Sequence, residues 1–177
     1  MIDIQNRNNI ILEAFKKFSK VGYILSESTL KVINESIKCD QITVTYQSLD
    51  RILSIQYLCN LNYTSELPNQ NLIECVNIDM TNKCENHESF IDHHLDIVHY
   101  FRLTLPEIYQ SELALFNNSD QSGIQIKEFE KKINLYADMI LSHLKEVTIG
   151  KQWVSASMTR LDGWRIQTEQ GIKYYDY

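Results

Sequence analysis

Residues 87–99 read HESFIDHHLDIVH and crowd imidazoles and carboxylates into one short stretch. These are the side chains of general acid–base catalysis and of zinc or iron coordination. Their spacing decides which chemistry is open to them. On a helix with about 100° per residue, Phe90, Ile91, His94, Leu95, Ile97, Val98 and Phe101 form one broad apolar face. His94 lies near its centre, His93 points to the polar side and His99 elsewhere again, so the histidines do not converge. His94 then reads as a core histidine with a ring nitrogen satisfied by a hydrogen bond. The functional alternative is a desolvated base with a lowered pKa, in the wall of a pocket that His143 reaches from a later helix.

On the opposite side, Glu85, Glu88, Asp92, Asp96 and His99 fall within a sector of about 80°. Glu88 and His99 lie roughly 16 Å apart along such a helix and cannot share an ion. Asp96 and His99 have D-x-x-H spacing, but no second ExxH or DxxH supplies the matching ligands a helix-bundle metal site needs. No metal or other cofactor is expected. Glu88 with Asp92 and Asp92 with Asp96 are like charges at i,i+4, each costing an isolated helix about 0.2–0.5 kcal/mol. A solvated acidic face is the plain explanation. The sharper one is a surface for a basic partner protein, which would relieve the repulsion.

The elements that must position these residues follow from hydrophobic period. Ile11, Ala14, Phe15 and Phe18 predict a helix over 4–20, ended by Gly22. Leu30, Ile33 and Ile37, with Ser26 as N-cap, predict a second helix over 27–38. The period then becomes two. Ile42, Val44 and Tyr46 alternate, then Leu53, Ile55, Tyr57 and Cys59, then Leu72, Val76, Ile78 and Met80. Three antiparallel strands with one wet face follow. A helix over 49–61 competes for the same short apolar run. Helix three is predicted over 85–102, and a fourth over 105–116 after the T-L-P-E capping box at Thr104. A fifth over 123–146 carries the stripe Ile126, Phe129, Ile133, Tyr136, Ile140 and Leu144.

Asp162-Gly163 is a two-residue hairpin signal that predicts strands at 152–161 and 164–169, with a further segment near 172–176. Such a turn sets Arg160 against Arg165, an unfavourable like-charge pair unless an anion or acidic group lies between them. With Trp153, Trp164, Tyr174, Tyr175 and Tyr177 nearby, this end has the aromatic and arginine composition of a protein-binding hot spot. Anchoring of the sheet by the tryptophans is the plainer reading.

Composition closes off several classes. The 177 residues suit one α+β domain, 1–177, with an antiparallel sheet (a three-stranded meander plus a C-terminal hairpin) packed against about five helices. No apolar stretch approaches a membrane span and the N-terminus lacks a secretory pattern, so a cytoplasmic location is expected. The four cysteines include no CxxC pair. The five glycines form no phosphate-binding loop, and no basic block marks a nucleic-acid footprint. There is no GxSxG and no HExxH.

Two functions remain. The first is a small non-enzymatic binding protein, of the inhibitor or immunity type, that neutralises a basic partner through Glu85, Glu88, Asp92, Asp96 and His99 and through Arg160, Trp164 and Arg165. The second is an acid–base enzyme or hydrophobic-ligand carrier using His94 and His143. Exposed strand edges leave room for a homodimer.

Overall fold

A computed structural model of the chain describes residues 3–34, 39–62, 71–83, 93–104, 125–154, 163–168 and 171–176. Helix α1 runs Ile4–Phe15 and tightens into a 3-10 turn over Lys16–Val21. Asp3 caps it, its Oδ1 accepting from the Asn6 N–H at 3.0 Å. Gly22 ends it in the left-handed region at φ 92°, as its place after the last apolar residue predicts.

A five-stranded antiparallel meander follows: β1 Ile24–Asn34, β2 Cys39–Gln47, β3 Arg51–Asn62, β4 Asn71–Asn82 and β5 His94–Asp96, neighbours in that order. Then come α2 (Ile97–Thr104), α3 (Ile126–His143), the single turn α4 (Lys145–Thr148) and a separate two-stranded sheet of β6 (Gly163–Thr168) and β7 (Gly171–Asp176). The architecture is α+β with an antiparallel sheet.

Three sequence expectations change. The helix expected over 27–38 is strand β1 across its described part, paired with β2 from Ile24↔Gln47 to Asn34↔Cys39. Ser26, Ser28, Thr29 and Val32 disfavour helix, and the spacing of Leu30 and Ile33 fits both periods. The strand expected at residues 52–64 holds against the competing helix at 49–61: the twelve residues of β3 pair with β4 from Arg51↔Asn82 to Asn62↔Asn71. The helix expected over 85–102 begins only at Ile97. Residues 94–96 extend the sheet as β5, and 84–92 lie outside the described residues. The three-stranded meander is therefore a five-stranded one.

The segments expected at 164–169 and near 172–176 are the strands β6 and β7, with Arg165 in register with Tyr174 and Trp164 with Tyr175. The turn expected at Asp162-Gly163 rests on residues outside those described. The expected strand at 152–161 and Arg160 fall mostly in 155–162, outside the described residues, as does the helix expected over 105–116.

The core forms where the alternation of β2, β3 and β4 meets the helical stripes. Ile42, Val44, Leu53, Ile55, Tyr57, Ile78 and Met80 face Ile11, Phe15 and Phe18 of α1 and Phe129, Ile133, Tyr136 and Ile140 of α3, all buried. Each such side chain contributes about 1.5–3 kcal/mol by leaving water. Tyr57 meets Phe129 edge-on at 5.4 Å, and Phe101 of α2 stacks on Tyr136 at 6.4 Å. On the other face of the sheet Thr43, Thr45, Ser54, Gln56 and Asp79 are half-buried.

Two arginines sit among these apolar groups. The side chain of Arg7 on α1 is nearly fully buried, and its Nη2 lies 2.9 Å from Glu74 Oε1 on β4. Its Nε donates to the Tyr57 hydroxyl at 2.9 Å, and its guanidinium lies over the Phe129 ring at 4.8 Å. Arg51, at the start of β3, donates from Nε to the Val147 carbonyl at 3.1 Å and from Nη2 to the Gln152 carbonyl at 2.9 Å. Its Nη1 serves the Asp50 carbonyl and Asn82 Oδ1, and its plane covers Trp153 at 4.9 Å.

Candidate functional site

Among the described residues β1 has a neighbour strand on one side only, so its outer row of N–H and C=O groups is free to pair. The strand is also exposed on both faces from Ile24 to Lys31, Thr29 alone being half-buried. Ile24, Leu25 and Leu30 expose 65%, 48% and 42% of their surface, apolar area of the kind that natural edges usually limit with charged side chains, proline or bulges. Glu27, Thr29 and Lys31 register with Thr45, Thr43 and Gln41, on the face away from the helices. Leu25, Ser28 and Leu30 register with Tyr46, Val44 and Ile42, on the helical face.

On that helical face an open groove of about 460 Å³ runs between α1 and the strand, lined by Asn9, Leu12, Glu13, Lys16, Leu25 and Tyr46. Leu12, Leu25 and the Tyr46 ring make its floor apolar. Tyr46 donates its hydroxyl to the Leu12 carbonyl at 3.2 Å, which fixes the ring. Burial, with the Glu13 carboxylate behind it, pushes the Tyr46 hydroxyl pKa up, so it remains a donor. Lys16 and Glu13 form a 3.4 Å ion pair at the rim. A side chain of an added strand would enter beside Leu25.

The residues singled out from sequence are distributed differently. His94 stands on β5, on the face away from the core, and its Nε2 meets Asp79 Oδ1 at 3.1 Å. The bond to Asp79 raises its pKa above the ordinary 6.5 against the opposing effect of burial, with the charges of Asp79 and Asp96 adding to the rise. This is the reverse of the desolvated base with a lowered pKa, because residues 94–96 form a strand instead of a helix, and its alternation sends Leu95 into the core and His94 to the face that carries Asp79. Asp96 caps α2, its Oδ1 accepting from the His99 N–H at 2.9 Å. Asp96 thus stands at the start of α2 and not in mid-helix as expected. His99 is half-buried on α2. His143 is exposed at the end of α3, its ring edge-on to Phe101 at 6.4 Å. Glu85, Glu88, Asp92 and Arg160 lie outside the described residues, while Trp164 and Arg165 lie on β6. Among the described residues no group of three His, Cys, Asp or Glu side chains could hold a metal ion, and no helix is long and apolar enough to cross a membrane.

The charges that structure the core were not singled out, although the sequence carries a signal for them. Arg7 keeps step with Ile11, Ala14, Phe15 and Phe18. Glu74 shares the parity of Val76, Ile78 and Met80, and Arg51 that of Leu53, Ile55 and Tyr57. A charge at an apolar position of a periodic pattern must find a partner, and here each does. Cys59 lies beside this cluster, and burial together with the Glu74 charge pushes its thiol up to about 11.

Comparison with known proteins yields no match to a family model, to a curated protein or to a solved structure.

Proposed function

We propose that the chain is a non-enzymatic protein-binding protein that takes up another polypeptide by strand addition along β1. The observation that carries this reading is the exposure of Ile24, Leu25 and Leu30 on a strand whose outer side is unpaired among the described residues. Backbone pairing along such an edge supplies affinity, and the groove beside Leu25 supplies side-chain selectivity. The net charge of −6, with Glu85, Glu88 and Asp92 adding to it, favours a basic target, the pattern of an inhibitor or immunity-type protein.

The test is capture of partners by the full chain, set beside a Leu25→Asp, Leu30→Asp variant, with amide exchange measured on the captured complex. The reading requires that the variant lose whatever wild type retains and that β1 amides slow in the complex. Partners held equally by both chains, with β1 exchange unchanged, would refute it.

A further inference from the structure

We infer that β1 is a self-association edge, and that its occupant is the β1 strand of a second copy, paired antiparallel about a twofold axis beside Thr29. This rests on the reading of β1 as a binding edge and goes beyond it: where no target strand is present, the same edge closes on a second copy. The argument is one of register. The pairing of β1 with β2 is irregular between Leu25 and Glu27 and again between Val32 and Asn34, which leaves a regular run over residues 27–32. Within that run Glu27, Thr29 and Lys31 share one face. An antiparallel twofold centred on Thr29 sets Thr29 opposite its own copy. It sets Glu27 opposite Lys31 of the second copy and Lys31 opposite Glu27 of the second copy. Centring the axis on Glu27 or on Lys31 opposes like charges, and centring it on Ser28 or Leu30 sets neither residue against an opposite charge, so Thr29 is the centre that pairs Glu27 with Lys31.

The other face agrees with that choice. Leu30 falls opposite Ser28 of the second copy and diagonal to its Leu30, within reach for leucine side chains. The exposed Leu30 of each copy is thereby covered by the other. The two meanders become one ten-stranded sheet with β5 at either end, twice the five strands of a single copy. The net charge of −6 opposes approach only weakly, because screening over about 8 Å at physiological ionic strength removes most of its reach. The Glu27–Lys31 pairs act at contact.

The experiment is sedimentation of the full chain from roughly 1 μM to 1 mM, with each variant first checked by circular dichroism. Wild type is expected to move from a mass of 20.8 kDa towards twice that value. Glu27→Lys and Lys31→Glu each turn two attractive pairs into two repulsive ones and should weaken association about tenfold. Both the doubly swapped chain and an equimolar mixture of the two single variants restore the opposed charges and should associate like wild type. A wild-type chain that stays monomeric to 1 mM while still capturing another protein through β1 overturns the inference and leaves the binding-edge reading standing. Association that survives both single substitutions, or that the mixture fails to rescue, overturns it as well.

Discussion

Arg7 and Glu74 lie 67 residues apart in sequence and 2.9 Å apart in the core, where their ion pair joins α1 to β4. Two charges so deeply buried gain little net stability from each other, because desolvation offsets their attraction. Leaving one alone is another matter. Arg7→Met or Glu74→Leu should each cost about 3–5 kcal/mol in denaturant unfolding, whereas the two together should cost far less than the sum. Additive losses in that cycle would mean that the pair is not coupled.

His94 gives the molecule a pH dependence of known sign. Its folded-state pKa is raised by Asp79, so the imidazolium–carboxylate pair stabilises fully below the unfolded value of 6.5 and fades as pH climbs through the folded value above it. The pair is partly exposed and worth about 0.5–1 kcal/mol. Wild type should therefore be more stable than His94→Gln at pH 5.5, and the two should converge at alkaline pH. A gap that widens with rising pH would contradict the assignment.

Gly150 sits at φ 84°, and a Cβ there would lie 2.7 Å from Asp50 Oδ2. Gly22 has a similar φ of 92° with nothing within 4 Å of the added carbon. Gly22→Ala thus measures backbone strain alone, at about 1 kcal/mol. Gly150→Ala adds the collision and should cost more, about 2–3 kcal/mol. Equal losses would mean that Asp50 moves aside freely.

Cys59 should be silent to thiol reagents in the folded chain. Its side chain is buried and its thiol pushed up to about 11, so almost no thiolate exists at pH 8. Mass spectrometry after brief maleimide treatment should find Cys59 unmodified in buffer and modified in denaturant. Rapid labelling in buffer would show that the core opens around β3.

The parts of the fold legible in sequence are those where one period dominates. Gly22, the stripe of α3 and the alternation in β2, β3 and β4 each point one way, and the chain follows. Residues 24–34 failed because Leu30 and Ile33 fit a helical face as well as a strand, and what decides for strand is β2 alongside, a tertiary partner no local pattern displays. Residues 94–102 read as one helix because strand and helix join at Asp96 without glycine or proline to mark the change, while the carboxylate itself starts the helix. That β1 is an edge stayed hidden for the same reason: an edge depends on which neighbours a strand has in the folded sheet.

Arg51 bears on how the chain reaches and leaves this structure. Its bonds to the carbonyls of Val147 and Gln152 span 96 and 101 residues. Closing so long a loop has an entropic cost that hardly grows with further contacts, so the first bond meets most of it and the others follow at little extra. The segment from Val147 to Trp153 is thus expected to dock against the start of β3 as one unit. Its release would cost Arg51 the bonds to Val147 and Gln152 and the cover of Trp153 together, so local opening there is expected to involve the buried guanidinium as well.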